Sequence, residues 1–502
     1  MIEQSPIRAA GNAMVWKFIQ MGGVKIIYMV RLLVLAILLT PEDFGLVAIA
    51  TTATGFLLNL TNMGLIPALV QVDQANEERY DAVWIFEMSR SIFVASLTIV
   101  SAPFIANIFS EPQAVHIIQA LALRPLLESM TSIKVVALNR HLSFRPLAYL
   151  KIVEAIVSAV LSIALAASMG VWAMVVGVLG GTTAMVITSY ILVPHRPRPF
   201  FRWKEIQPLM RFGWWLFVTG LIAMVSHYGL RLVISRQLGA EGLGLYFLAV
   251  QLAFLPNEVA TEAVGAIAFP LFARLQKDAA QATRVFRAMF SLLAAVLYPV
   301  CMLIIVLAPS LTLDVLGSRW SGTEDVIRVL ALVVMIGVFG DVAVSVFKGF
   351  GQPYRITVLE VTQSSATLAF MWILTRNYGL VGSALAWLPS VILSQILCLI
   401  FLQKILDHPY MGLRRPFLTI LLATALCSLT AWTIRSVWPD LTGSIIAAVA
   451  GLASAAALFW VIDRRYNIGF IQNLAFVFPK FAAFLGIYAK SDERKSELGI
   501  SS

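Results

Sequence analysis

A few charged side chains stand inside stretches that are otherwise apolar, and their types and spacing define the chemistry open to this chain. Lys17, Lys25 and Arg31 fall within one long apolar run. At 100° per residue, Arg31 lies about 40° to one side of Lys17 and Lys25 about 80° to the other, so all three can share one broad helix face. Arg231 stands in a second such run, with His227 one turn before it. Arg124 and Glu128 are spaced i, i+4, as are Glu258 and Glu262, while Glu87 and Arg90 are i, i+3. A charge in hydrocarbon is costly unless it is paired or faces a water-filled cavity. Lys17 is close enough to the end of its run to snorkel; Lys25 and Arg31 are too deep. Lys25, Arg31, Arg124 and Arg231 are therefore the candidate lining of a cationic, anion-binding cavity. The opposite-charge pairs can neutralise themselves, and Glu87 with Arg90 reads as a strut. Glu258 and Glu262 cannot neutralise each other. With Glu128 they are candidates for coupling to an ion, and they could equally be counter-ions for Arg231 or Lys25.

Other chemistries lack their residues. Cys301, Cys398 and Cys427 all sit in apolar runs without a CxxC or His-rich partner, so they read as packing residues rather than metal ligands or a disulfide. No GxxxxGK[ST] occurs, and "GFGQP" around Gly349 and Gly351 is a turn between helices, not a phosphate loop after a strand. The five histidines, His116, His141, His195, His227 and His408, are scattered. No HExxH, nucleophile elbow or carboxylate dyad is present, and the loops opposite the basic ones are too short to build a catalytic domain. The expectation is a protein that is not an enzyme and needs no cofactor.

The elements that must position these charges are membrane helices. Of 502 residues, 59% are hydrophobic and only 13% charged, with a mean hydropathy of +0.85, against about 25% charged in a soluble domain. "LLTPEDFGLVAIATTATGFLLNLTNMGLIPALVQ" sets the polar turn Thr40-Pro41-Glu42-Asp43 between two runs long enough to cross a bilayer, which takes about 20 residues. It reads as a hairpin of membrane helices. The fold class expected is an all-α polytopic membrane protein with about fourteen spans. They fall near 13–38, 44–70, 82–109, 114–138, 147–168, 171–193, 210–236, 243–270, 284–313, 323–347, 355–375, 379–403, 415–436 and 441–463. The first run is too long for a cleavable leader and no small-residue cleavage site follows it. After the last span, "YNIGFIQNLAFVFPKFAAFLGIYAK" is apolar but broken by Pro479, and is expected to lie at the membrane surface ahead of a charged tail.

Alternate loops carry the cations: Arg140 and Arg145; Arg196, Arg198, Arg202 and Lys204; Arg274, Lys277, Arg284 and Arg287; Lys348 and Arg355; Arg414 and Arg415. The other loops are short and neutral or acidic. Positive loops stay cytoplasmic, which places both termini inside. The same rule accounts for the net charge of +10, so those cations face anionic lipid headgroups and imply no nucleic-acid partner.

Sliding the chain by 199 residues lays "LLTPEDFGLVAIA" over "QLGAEGLGLYFLA", matching Glu42 with Glu241, Gly45 with Gly244 and Ala50 with Ala249, and Trp16 with Trp215. An offset of 209 pairs Gly170 with Gly379, each at a turn between spans. Two six-helix lobes result, 1–200 and 201–410, then two further helices over 411–465 and the interfacial segment and tail over 466–502. Six is even, so the lobes are parallel repeats, an architecture that places a substrate near the bilayer midplane.

The opening hairpin and "FKGFGQPYRITVLEVTQSSATLAFMWILTRNYGLVGSALAW" resemble the hallmark segments of bacterial polysaccharide flippases. These are of the Wzx type within the multidrug, oligosaccharidyl-lipid and polysaccharide exporter superfamily, and the likeness is strongest to the exopolysaccharide, colanic-acid-like branch. The resemblance covers roughly 5–410. It implies movement of an undecaprenyl-pyrophosphate-linked oligosaccharide from the cytoplasmic to the periplasmic leaflet of the inner membrane, by alternating access coupled to an ion gradient. It also implies work beside a polysaccharide polymerase and chain-length machinery. A cationic central cavity is a family feature that Lys25, Arg31, Arg124 and Arg231 could supply. The alternative is a multidrug exporter of the same fold, whose cavity should be more apolar and acid-lined.

The loop rule fixes a topology that impermeant cysteine labelling checks. Single cysteines replacing Glu42, Glu241 and Asp440 should react from the periplasm, and those replacing Arg198, Lys277 and Arg414 only after the membrane is opened. Labelling of position 198 from outside would overturn the two-lobe arrangement.

Overall fold

Thr40 starts a helix because it can satisfy backbone donors that the first turn leaves unpaired. Its hydroxyl accepts from the Asp43 N–H at 3.3 Å, and the Asp43 carboxylate accepts from the Thr40 N–H at 2.9 Å. Pro41 takes the first helical position, where its missing N–H costs nothing. The polar turn is thus a capping box between two helices, α1 (Pro6–Leu38) and α2 (Pro41–Leu60). In this computed structural model the described residues are 6–66, 69, 77–140, 143–195, 198 and 203–466. The side chains of Lys17 and His227, and the expected surface segment and tail from 467 on, lie outside the described residues.

The order continues with α3 (Glu77–Ile108), α4 (Ala114–Leu121), α5 (Leu123–Ser129), α6 (Val135–Arg140), α7 (Phe144–Met169) and α8 (Val171–Leu192). Then come α9 (Trp203–Arg274), α10 (Ala279–Pro309), α11 (Thr323–Gly349), α12 (Tyr354–Leu385), α13 (Trp387–Gln403), α14 (Arg414–Val437) and α15 (Leu441–Tyr466). Among the described residues, eleven helices are long and apolar enough to cross a membrane. The fourteen expected spans differ from these where helices fuse or break. At 72 residues, α9 would run about 108 Å if straight, far beyond a hydrocarbon core of about 30 Å. Gly239, at φ 70°, breaks it into the seventh and eighth spans. In α12 the break is Gly379, at φ 57°, and the helical stretch beyond it joins α13 as the twelfth span. The fourth span is not one helix but α4, α5 and α6. The loop after α5 is tied sideways instead of continuing the helix: the Ser132 N–H donates to the Ser189 hydroxyl at 3.0 Å, and the Ser132 hydroxyl to the Val193 carbonyl at 2.7 Å.

The chain divides into two compact units. The first holds the described chain up to Leu248 together with 316–323 and 367–383; the second holds 249–315, 324–366 and the described remainder from Ala384. In the first unit, α7 and α8 pack through small residues. A Cβ on Gly177 would meet the Ser162 hydroxyl, and one on Gly181 would stand 2.7 Å from the Glu154 carbonyl, the close approach that membrane helices use in place of a hydrophobic drive. The end of α1 leaves carbonyls unpaired, and 316–323 supplies their donors: Trp320 Nε1 reaches the Ala36 carbonyl at 2.8 Å and Arg319 the Leu39 carbonyl at 3.3 Å. Trp320 is fully buried, edge-on to Phe44 at 5.2 Å. The second unit centres on Phe272, Phe286, Phe347 and the valines of α11, with α14 and α15 packed on α10 through Leu303, Cys427 and alanines. Val100, Phe104 and Ile191 stand exposed, as lipid-facing positions should.

The repeat seen in the sequence is also a contact. Thr40 and Gly239 are matched positions, and so are Pro41 and Ala240. Where Asp43 caps α2 from within, the Ala240 N–H after the Gly239 break donates to the Glu111 carboxylate at 2.6 Å. A Cβ on Gly45 would overlap the Ala240 carbonyl, and one on Gly244 would overlap the Pro41 carbonyl. The two matched segments therefore cross reciprocally, each glycine against the other's first residue. Filling either crossing forces backbone apart at a cost of at least about 1–3 kcal/mol. Gly45→Ala and Gly244→Ala should each lower the melting temperature of the detergent-purified protein, while Gly22→Ala, with nothing within 4 Å, should leave it unchanged.

Candidate functional site

Three helices of the first unit bring the principal charges together. Arg31, on α1, is 9% exposed, and its Nε is buried without a hydrogen-bond partner. Tyr28, one turn earlier, interacts electrostatically with Arg31, Arg124, Glu128 and Glu154. Arg124 and Glu128, both on α5, form an ion pair with Arg124 Nε 2.8 Å from Glu128 Oε1. On α7, Lys151 Nζ lies 2.8 Å from Oε2 of Glu154, whose carboxylate is buried. The group holds three cations and two carboxylates around a tyrosine. Its net formal charge is one positive.

The other expected cations have different surroundings. Lys25 is half-buried on α1. Arg231, on the first half of α9, donates through Nη1 to the Thr52 hydroxyl of α2 at 3.0 Å. Its guanidinium lies 5.9 Å from the Phe247 ring centre and near Tyr228 and Tyr246. Of the expected cationic set, Arg31 and Arg124 thus share one group, and Arg231 sits in an aromatic setting. Glu258 and Glu262 are both exposed on the second half of α9, in the second unit. Glu87 pairs with Arg90 at 2.6 Å, and Arg90 also reaches the Thr61 hydroxyl of the segment after α2 at 3.2 Å, which makes that pair the expected strut.

Sequence reasoning passed over several residues. Lys151 and Glu154 are spaced i, i+3 within the fifth span, the signal that drew attention to Glu87 and Arg90. Asp81 and His195 meet at 3.0 Å with both side chains buried; 114 positions separate them in the numbering, so only folding joins them. The second unit contains a cavity of about 170 Å³ lined by Asn257, Asp341, Glu360, Gln363 and Gln395 against Phe254 and Trp387. Asp341 Oδ2, Asn257 Oδ1 and Gln395 Oε1 are buried and lack a donor. An unpaired buried acceptor costs about 1–3 kcal/mol. Three of them around one cavity suit a small cation or a proton. Asp341 lies deep in the tenth span, more than ten residues beyond Glu324, Asp325 and Arg328 at its start, so the rule applied to Arg31 would have found it.

The three cysteines are free and buried, and no group of three or more His, Cys, Asp or Glu that could hold a metal occurs among the described residues.

Known proteins share both this sequence pattern and this fold. The profile of the polysaccharide biosynthesis protein family matches residues 34–325. The chain is 24% identical over 369 residues to the succinoglycan biosynthesis transport protein ExoT of Rhizobium meliloti, covering 73% of this chain and 72% of that one. It is 23% identical to the teichuronic acid biosynthesis protein TuaB of Bacillus subtilis, over 71% of this chain and 77% of that one. Its fold is similar to that of the lipid II flippase MurJ in an inward closed conformation. That match has a TM-score of 0.76 at 14% identity and covers 90% of this chain and 99% of the other. An inward-facing multidrug resistance MATE transporter matches with a TM-score of 0.61 at 14% identity, over 76% and 94%. With more than half of its length matched by that profile and an all-helical membrane fold shared with flippases and exporters, the chain belongs to the family of polysaccharide biosynthesis proteins.

Proposed function

We propose that this protein is a Wzx-type flippase that moves undecaprenyl-pyrophosphate-linked oligosaccharide units from the cytoplasmic to the periplasmic leaflet of the inner membrane, for exopolysaccharide or lipopolysaccharide assembly. Both termini are cytoplasmic in this reading, and a polymerase and chain-length machinery receive the product. Two six-helix lobes expose the substrate site to each side in turn. The observation that carries the proposal is the Arg31 group: a buried guanidinium with an unpaired Nε beside a second arginine, in a family named for polysaccharide biosynthesis. A diphosphate cannot enter hydrocarbon unaided, because its charges lose their hydration. Guanidinium groups replace that hydration with charge-assisted, bidentate hydrogen bonds. Transport, with no bond made or broken, fits this better than catalysis. The MATE likeness supports a multidrug exporter only at the level of fold, and a buried Arg31 beside Arg124 repels cationic drugs.

Each charge-assisted hydrogen bond is worth about 1.5–3 kcal/mol. Arg31→Ala should therefore reduce complementation of polymer export by roughly 10- to 100-fold at normal membrane abundance, and Arg31→Lys should keep part of the activity. Loss of the protein from the membrane in Arg31→Ala would instead mark a strut whose removal strands a buried carboxylate.

Glu128, Glu258 and Glu262 remain the proposed coupling groups from their spacing in the sequence. The cavity favours Asp341 as a further one, since its buried carboxylate keeps one oxygen unpaired beside two unpaired amide oxygens and so attracts a cation or a proton. Asp341→Asn should leave abundance intact and weaken the dependence of export on the ion gradient, read as the fractional loss of export when the gradient is collapsed. An unchanged fractional loss would remove Asp341 from coupling.

A further inference from the structure

Two of the three cations in the Arg31 group are already occupied. Glu128 Oε1 holds Arg124 Nε at 2.8 Å, and Glu154 Oε2 holds Lys151 Nζ at 2.8 Å; the buried Nε of Arg31 has no acceptor. We infer that Glu128 is a built-in counter-ion that the substrate's diphosphate displaces from Arg124, which keeps the empty site nearly neutral and sets the charge a ligand needs in order to bind. This inference rests on the diphosphate reading of the same site.

A lipid-linked diphosphate carries at least two negative charges, and the free part of Arg31 alone cannot balance them. It must take hydrogen bonds from Arg124, where a carboxylate already stands. Two anions crowded on one cation repel each other, so either the carboxylate leaves or the ligand does. Glu128 is the one able to leave. Its side chain is 38% exposed and shares the short helix α5 with Arg124, so a rotamer change releases it. The Glu154 side chain is only 7% exposed, so it stays as the fixed anion that trims the site's charge. An uncompensated arginine is most expensive when a carrier returns empty through a closed state. A carboxylate that pairs with Arg124 in the empty protein and yields to substrate removes that cost. It also raises a threshold: a monophosphate competes with Glu128 less well than a diphosphate does.

The test uses the full-length protein in detergent with farnesyl diphosphate and farnesyl monophosphate as probes, read by intrinsic tryptophan fluorescence. Glu128→Gln should bind farnesyl diphosphate about tenfold more tightly than the wild type, the effect of removing about 1.4 kcal/mol of competition, and its preference over the monophosphate should shrink. In cells the same variant should export polymer more slowly. If Glu128→Gln does not accumulate, Glu128→Asp retains the charge but shortens its reach, and should give a smaller gain in the same direction. Equal or weaker binding by the variant measured overturns the exchange. Arg31→Ala and Arg124→Ala separate the two readings. If both bind farnesyl diphosphate like the wild type, the diphosphate site itself fails, and the exchange with it. If they lose binding while the Glu128 variants gain none, the site stands and the exchange alone is wrong.

Discussion

A charge placed in hydrocarbon must be given a partner, and most of this protein's informative structure derives from that constraint. Arg90 is held by Glu87 and the Thr61 hydroxyl, Arg124 by Glu128, Lys151 by Glu154, and Arg231 by the Thr52 hydroxyl and an aromatic ring. Arg319 spends its charge on a carbonyl at the end of α1. Against this background of satisfied groups the exceptions stand out. Among the buried polar atoms without partners are the Nε of Arg31 and, around one cavity, Oδ2 of Asp341, Oδ1 of Asn257 and Oε1 of Gln395, and a stable fold keeps such groups where something else can meet them.

The same economy governs the backbone. Helices in a membrane must satisfy their own polar groups, and their ends need external donors and acceptors. At Thr40 the cap is local and written in four consecutive residues. At the matched position 239 no such box exists, and Glu111 supplies the acceptor from elsewhere in the chain. The two matched segments thus share the geometry of a helix start but differ in the chemistry that secures it. They also share a glycine, Gly45 in one and Gly244 in the other, because each lies against a backbone carbonyl where any side chain would collide.

An exporter of anions faces a conflict between holding its substrate and resetting without it. A site made only of arginines binds well but carries an unbalanced charge when empty. In the function proposed above, the Arg31 group resolves this by mixing signs, with a buried carboxylate at Glu154 and a more accessible one at Glu128. The number of positive charges in such a site is then a poor guide to its strength; what matters is which negative charges can move away.

Composition and run lengths were enough to read an all-helical membrane protein of many spans, because burial in lipid leaves a signal in every residue of a span. The Thr40 segment was legible as a polar turn, while its capping box appeared only in the structure. Arg31 and Arg124 were legible as charges set in apolar runs, and Lys151, Glu154 and Asp341 would have been by the same test. Partnership was not legible. That Arg31 and Arg124 share one group while Arg231 turns to Thr52, that Asp81 meets His195, that three acceptors surround one cavity, and that the fourth span breaks into short helices at Ser132 are all decided by contacts between residues distant in sequence. Hydrophobicity is a property each residue carries alone and so survives in a linear string, whereas a hydrogen bond or ion pair exists only at a distance of about 3 Å, which tertiary packing alone sets.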